Sequence, residues 1–400
     1  MRWVRQTSKL KVQIMINFKA VLYIIFVFYV GCGSSGLIDI NRYEHDRVLS
    51  QADRFLDEPP VTLTAFVAER SAGGPHDFYS EGDYWWPDPD NPDGPYIRRD
   101  GMTNPDNFTK HRELMRRFSI QVPALTAAFV ITGEQKYAGA ALDHLRAWFV
   151  TPDTRMNPNL LYAQAIKGRV TGRGIGIIDT IHLVEIARSI QMLEKFNGVP
   201  DADLQPLKAW FREYLNWMTT HEFGISERDN GNNHSTCWAM QVAAYADLVD
   251  DAQQKSFVRN FFRTVLLPEQ MDAKGRFPKE LDRTKPYNYA LFNMDAMVMV
   301  CQILSNPEDD LWNYTTPDGK NIRMAVDFMF PFIKNKAQWP YPPDVMYFDL
   351  WPVRQPALLF AGLAYGEQKY IAVWKQLEPD PENDEVIRNF PIRQPVIWLN

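Results

Sequence analysis

One segment of this chain occurs twice. Ala124-Leu125 leads to Gly133-Glu134-Gln135-Lys136-Tyr137, and Ala357-Leu358 leads, at the same offset, to Gly366-Glu367-Gln368-Lys369-Tyr370. In each copy an apolar helical pattern stops at the glycine and a second helix begins at the Glu-Gln-Lys-Tyr run. The glycine supplies the left-handed residue that ends the first helix. A helical hairpin repeated near both ends implies hairpins set in a ring or solenoid. The stretches 107–131, 135–149, 174–196, 203–221, 235–249, 252–267, 287–304 and 320–335 carry apolar residues at i, i+3, i+4 spacing. Strand-like alternation is scarce, and short connections are marked by Gly, Pro or Asp. The expected fold class is all-α, an (α/α) barrel of hairpins, with an irregular helical bundle as the alternative.

Ahead of this pattern, Ala20 to Val30 reads as eleven apolar residues preceded by Lys19. A membrane-spanning helix needs about 20 residues, so the run fits the core of a signal peptide. Tyr29-Val30-Gly31-Cys32 reads as a lipobox, with Met15 as the expected start. The expectation is a signal peptide over 1–32, membrane attachment through an acylated Cys32, and a bacterial periplasmic or outer-membrane location. A plain secretory signal cleaved near Gly33 is the alternative. Residues 33–60 read as a linker and first helix, and 61–400 as one domain. The remaining cysteines, Cys237 and Cys301, lie in apolar helical stretches and read as two buried thiols.

The exception to helicity is 71–106, too dense in Gly, Pro and Asp for a long helix. Long ordered loops in compact domains are usually functional. Tyr84, Trp85 and Trp86 offer flat stacking faces, and Arg98 and Arg99 offer forks for carboxylates. The loop therefore reads as a lid or cleft wall over an acidic sugar chain, or else as a structural arm with the tryptophans in the core. The chain carries 12 Trp, 17 Tyr and 24 Phe, which suits either role. Its formal net charge of −6 argues against nucleic acid and requires that any acidic ligand be met by local cations.

Chemistry-bearing residues gather at two loop-to-helix junctions. Asn232 and Asn233 stand where capping residues belong, and His234 falls in the first helical turn. Arg283 to Tyr289 forms the second junction, with Tyr287 and Tyr289 both following the arginine. Gly168-Arg169 and Gly172-Arg173-Gly174-Ile175-Gly176 lack the preceding strand of a dinucleotide loop and read as a close backbone approach that exposes Arg173 to a cleft. His182, one turn before Glu185, either lines the same cleft or packs inside. No metal-binding motif and no serine-hydrolase elbow is present in the sequence.

On Tyr84-Trp85-Trp86-Pro87-Asp88-Pro89, Arg98-Arg99-Asp100-Gly101, Asn233-His234 and Glu280-Leu281-Asp282-Arg283-Thr284 leading to Tyr289, the chain resembles the alginate-lyase superfamily of helical-barrel polysaccharide lyases. It is similar above all to polysaccharide lyase family 38 and more distantly to family 5. The resemblance implies an incomplete (α/α) toroid with the Pro/Gly/Trp-rich loop over its cleft. It also implies alginate as substrate, neither cofactor nor metal, and a catalytic set of Asn233, His234, Arg283 and Tyr289. Arg98, Arg99, Tyr84, Trp85, Trp86, Arg173, His182 and Glu227 are the expected substrate-binding residues.

These residue types suit β-elimination. Asn233 and Arg283 neutralise the uronate carboxylate, with Glu227 as a protonated donor beside them. In mannuronate the C5 proton and O4 share a ring face, so Tyr289 can act as base and then acid. In guluronate they lie on opposite faces, so His234 takes the proton and Tyr289 donates one. Arg283 is expected to lower the Tyr289 pKa. The competing readings are a lyase acting on β-1,4-glucuronan, a non-catalytic glycan-binding lipoprotein, and a glycosidase using two carboxylates among Glu227, Asp229, Glu280 and Asp282.

Overall fold

The structure is a computed structural model that describes residues 36–400. The signal segment 1–32, its lipobox and Cys32 lie outside the described residues. Helix α1 (Ile40–Phe55) is capped by Asp39, whose side chain accepts from the Arg42 N–H. The loop that follows contains β1 (Tyr79–Glu81), β2 (Trp85–Trp86) and β3 (Ile97–Arg98), and β4 (Tyr162–Ala165) comes later in the chain. Strand β1 pairs in parallel with β4, and β2 pairs antiparallel with β3.

The helices fall into hairpins: α2 (Lys110–Thr132) with α3 (Gln135–Phe149), and α4 (Leu183–Lys195) with α5 (Asp201–Thr220). After α6 (Glu222–Arg228) comes α7 (Asn233–Leu248) with α8 (Ala252–Phe261). The short α9 (Leu267–Gln270) and α10 (Pro278–Leu281) lead into α11 (Pro286–Leu304), which pairs with α12 (Ile322–Lys334). Then α13 (Pro356–Tyr365) pairs with α14 (Gln368–Trp374), and α15 (Asp384–Arg388) and α16 (Pro395–Leu399) end the chain.

Neighbour packing runs α2–α4–α7–α11–α13, so the first helices of the five hairpins form an inner wall. Burial follows. In α11, 17 of 19 residues are buried and in α7, 14 of 16, whereas α8 buries only Val258 and Phe261. A helix apolar on every side belongs inside, and an amphipathic one belongs at the rim. At the open seam, α16 packs on α1, α2 and α4, and its Trp398 meets Phe360 of α13. The result is an incomplete (α/α) toroid, as the repeated hairpin suggested.

The repeat is visible in the backbone. Gly133 (φ 73°) and Gly366 (φ 69°) both adopt the left-handed conformation, ending α2 and α13 just before α3 and α14 begin. Cys237 and Cys301 are both free and buried. Seven tryptophans are core residues: Trp148, Trp210, Trp238, Trp312, Trp351, Trp374 and Trp398. More than half of the 12 tryptophans are therefore spent on the core rather than on a ligand.

Candidate active site

A cleft of about 340 Å³ opens where α7 and α11 begin, beneath the 71–106 loop. Its wall contains eight of the expected residues: Tyr84, Trp85, Arg98, Arg173, Asn233, His234, Arg283 and Tyr289. Two helix starts and one loop thus converge on a single space.

Each start is built for its task. Asn232 is the cap of α7, accepting from the His234 N–H at 3.1 Å and fixing the first turn. Asn233 is held by Glu280 of α10. Its backbone N–H and its side-chain Nδ2 donate to the two carboxylate oxygens, each at 2.7 Å. A carboxylate only accepts, so the amide must present its nitrogen there and keeps a second N–H. Burial pushes the Glu280 carboxyl up, opposed by those same hydrogen bonds. His234 is oriented from behind, with Nδ1 2.7 Å from Glu227 Oε1. That contact places the proton on Nδ1 and leaves Nε2 as the lone pair.

At the second junction, the Arg283 guanidinium lies 4.4 Å from the centre of the Tyr289 ring and donates to its hydroxyl at 3.3 Å. Asp100 of the loop grips Arg283 at 3.1 and 3.3 Å and also pairs with Arg98 at 2.6 Å. Burial works to raise the Asp100 carboxyl, but its bond to Arg283, that cation's charge and Arg98 outweigh it, and the carboxyl falls below the usual range. The Tyr289 hydroxyl also lies 2.7 Å from the Tyr84 hydroxyl. Burial is the dominant influence on Tyr289 and pushes its pKa up to about 12, although Arg283 and the Tyr84 bond pull downward. Arg283 does pull the phenol down as expected, but burial outweighs it, so the net shift is upward and the depressed value that a base needs is absent. Tyr287 points away into the core and donates to Phe332 O.

The loop sorts its side chains by strand register. Trp85 is paired opposite Arg98, and Trp86 opposite Ile97. Opposite residues share a face and successive ones alternate, so Trp85 and Arg98 face the cleft while Trp86 turns away. Arg99 turns away too, stacking over Trp86 at 5.1 Å, and the Trp86 indole donates to Met102 O. Neither Trp86 nor Arg99 lines the cleft, which corrects their expected role. His182 is likewise fully buried at the start of α4, so it packs inside. Glu227 has no exposed surface and reaches the back of His234 with one oxygen and Asn230 with the other, so it orients the imidazole rather than meeting a ligand.

Arg173 enters the cleft through the expected close backbone approach. A Cβ on Gly172 would sit 1.9 Å from Leu161 O, so only glycine lets the chain pass there. Gln164, in the left-handed region at φ 51°, accepts from Arg173 with both its backbone carbonyl (3.0 Å) and its side-chain oxygen (2.9 Å). Strained non-glycine backbone of this kind concentrates at functional sites.

Sequence reasoning missed several cleft residues: Asp83, Gln164, Asn230, Arg388 and Asn389. Asp83 stands immediately before Tyr84-Trp85-Trp86 and could have been read with that motif. Arg388 comes from α15 and carried no local signal. It pairs with Asp83 at 2.6 Å, as Arg112 of α2 does on the other oxygen. Asp83 is the one carboxylate in the cleft wall among the described residues, and two guanidiniums hold it. Glu227 and Glu280 are buried behind the wall, so the wall lacks the opposed acid pair that glycoside hydrolysis requires.

The family assignment follows from comparison. The alginate lyase family model matches residues 62–339. The chain belongs to the alginate lyase family. It is therefore a polysaccharide lyase. It is 31% identical to an alginate lyase from Bacteroides ovatus of known crystal structure, with a TM-score of 0.77 over 91% of this chain and 94% of that one. Alginate lyase A1-III from Sphingomonas species A1 shares 17% identity and a TM-score of 0.51, covering 82% of this chain and 86% of that one. A histidine-to-alanine variant of A1-III complexed with a tetrasaccharide gives 17% identity and a TM-score of 0.55, over 87% of this chain and 96% of that one. At that identity the A1-III likeness concerns the fold alone. No curated protein matches the chain.

Proposed function

We propose that this alginate lyase family member cleaves alginate by β-elimination between C4 and C5, leaving an unsaturated uronate at the new non-reducing end. The observation that carries the proposal is the convergence of Asn233, His234, Arg283 and Tyr289 on one cleft, with His234 backed by Glu227.

The C5 proton is a poor acid because it stands next to a carboxylate. The second N–H of Asn233 and the Arg283 guanidinium are suited to hold that carboxylate as charge moves onto it, and losing one such donor typically costs ~3 kcal/mol. With guluronate, His234 Nε2 takes the C5 proton while the Tyr289 phenol gives its proton to the departing O4. The C5–H and C4–O4 bonds break, and the C4–C5 double bond forms. The phenol that burial keeps protonated is matched to the acid's task. With mannuronate both events occur on one ring face, and Tyr289 must first lose its proton to act as base. Trp85 offers a flat face for a sugar ring, and Arg98 and Arg173 offer charge for flanking carboxylates.

The test is time-resolved product analysis on polymannuronate, polyguluronate and glucuronan side by side. Unsaturated ends absorbing in the ultraviolet from either alginate block support the proposal; saturated ends, heavier by one water, defeat it. Turnover confined to glucuronan would move the substrate while keeping the chemistry. We further propose that Cys32 carries a lipid anchor at the outer membrane or facing the periplasm. Mass spectrometry of protein from a native membrane fraction tests this, and an unmodified Cys32 overturns it.

A further inference from the structure

Beside the cleft lies a larger groove of about 810 Å³ that the mechanism does not use. The two share a wall. Gln164 and Arg173 face the cleft, and their chain neighbours Ala165 and Gly172 face the groove. They meet at Trp85, which lines the cleft while the Arg169 guanidinium, 5.1 Å from its ring centre, lines the groove.

The groove has the chemistry of a uronate subsite. Ile166, Val170 and Phe223 give it an apolar floor against which the C–H face of a sugar can lie. Ile166 and Val170 also pair across a tight turn that contains Gly168 at φ 74°, and that turn carries Lys167 and Arg169. The turn is fastened, because Arg169 Nε donates to Tyr96 O at 2.7 Å and Tyr96 N donates to Lys167 O at 3.1 Å. Both cations are exposed, and neither pairs with an acid among the described residues. Arg70, the third cation of the groove, is already spent on Glu81 at 2.6 Å. In a protein with a net charge of −6, two unpaired cations on a fixed turn beside a polyuronate cleft need a reason.

We infer that the groove is an outer binding subsite for the same polyuronate chain, in which Arg169 and Lys167 take the carboxylate of a sugar lying beyond Trp85. This rests on the alginate reading and adds to it a preference for long chains. An oligosaccharide short enough to lie within the cleft leaves the outer groove empty, whereas a polymer fills both.

The test is the double variant Arg169→Gln/Lys167→Gln, which removes both charges from exposed positions. On polymeric alginate KM should rise about two- to thirtyfold, the range for two solvent-exposed ion pairs, and its dependence on salt should weaken. With an oligosaccharide short enough to lie in the cleft alone, the loss should be clearly smaller, and the melting temperature reports whether the turn that Arg169 fastens to Tyr96 O is kept. An unchanged polymer KM overturns the inference, as does an equal loss on polymer and short oligosaccharide. Retardation in an alginate-containing gel reads the subsite without turnover: wild type should be held back more than the double variant, and equal mobility overturns the inference. If wild type released no unsaturated product, the lyase reading would fall alone, because the gel still decides the subsite.

Discussion

Glu227→Gln tests the proposed chemistry most directly, because it changes one atom of a fully buried group. Glu227 Oε1 lies 2.7 Å from His234 Nδ1, and Oε2 accepts from Asn230 Nδ2 at 3.4 Å. A glutamine can sit there in two orientations. With its NH₂ toward the imidazole, it donates to Nδ1 and moves the ring proton to Nε2, where no lone pair remains to take a proton. With its oxygen toward the imidazole, it accepts the Nδ1 proton, and its NH₂ is satisfied when the exposed Asn230 turns its amide oxygen toward it. The first orientation removes an oriented base, worth about 10²–10⁴-fold, and the second keeps the tautomer but removes the negative charge that stabilises the imidazolium formed when His234 takes the proton. An aspartate-to-asparagine change behind a catalytic histidine costs about 10⁴ in a serine protease for the same tautomeric reason. We therefore expect kcat/KM on polyguluronate to fall by about 10²–10³, and on polymannuronate by less than about tenfold, since Tyr289 carries both proton transfers there. The assay is the initial rate of ultraviolet-absorbing product on each block, with the melting temperature as folding control. Equal losses on both blocks, in a variant that melts normally, would refute the assignment of His234 as a base and make it a carboxylate ligand. No loss on polyguluronate would refute any role for the dyad.

The remaining predictions concern the phenol and the loop. Tyr289→Phe should reduce turnover by at least about 10² while leaving affinity for alginate within a few-fold, since only the transferring hydroxyl is lost; retained turnover argues against its role. Arg98→Ala should raise KM whereas Arg99→Ala should not, because Arg98 faces the cleft and Arg99 stacks on Trp86; equal effects would contradict the strand register. On polymannuronate, log kcat/KM should climb with pH through about 8 to 10, because this parameter reports the free enzyme, in which burial holds Tyr289 near 12. A phenol raised above its unfolded value adds stability that is fully present below about pH 10 and lost as pH rises toward the folded value, so the climb precedes alkaline unfolding. A plateau at neutral pH would show that this phenol is not the base.

Much of the toroid was legible because its signals are local. The apolar spacing of 135–149 and 287–304 returned as α3 and α11 within a residue, and Gly133 and Gly366 cap as the repeat required. The convergence of His234 and Tyr289 was legible through the motifs around them. What failed was non-local. Whether Trp85 or Trp86 faces the cleft depends on a two-residue strand pair, too short to show periodicity, and on which residue Arg98 opposes. Arg388 reaches the cleft from near the other end of the chain and has no neighbouring pattern to announce it. Glu227 was noticed as an acid, but its place behind the imidazole depends on how α6 packs against α7. The upward shift of Tyr289 depends on burial, which no spacing from Arg283 reveals.

The acids of the site explain how a cationic cleft is kept rigid. Arg283, His234 and Asn233 must hold fixed positions, and the strongest tethers for donors are carboxylates, yet a carboxylate in the cleft would repel a uronate. The chain places Glu227 and Glu280 at 0% and 1% exposure, behind the groups they hold, so their charge is separated from the ligand by the donor itself. Burial of an acid is costly, and Glu280 shows that cost in its raised carboxyl. The offset is specific: one of its two hydrogen bonds is to the Asn233 N–H, an orphan donor at the N-terminus of α7, where the helix field favours negative charge. Glu280 therefore caps one helix while belonging to the turn that leads into α11, and a single buried side chain sets the His234 start against the Tyr289 start. Asp100 does the same for the loop from a partly exposed position, gripping Arg283 and Arg98 together. Of the three tethers, it alone has a partly solvent-exposed carboxylate, so its hold on the two arginines is weakened by water and salt where those of Glu227 and Glu280 are not.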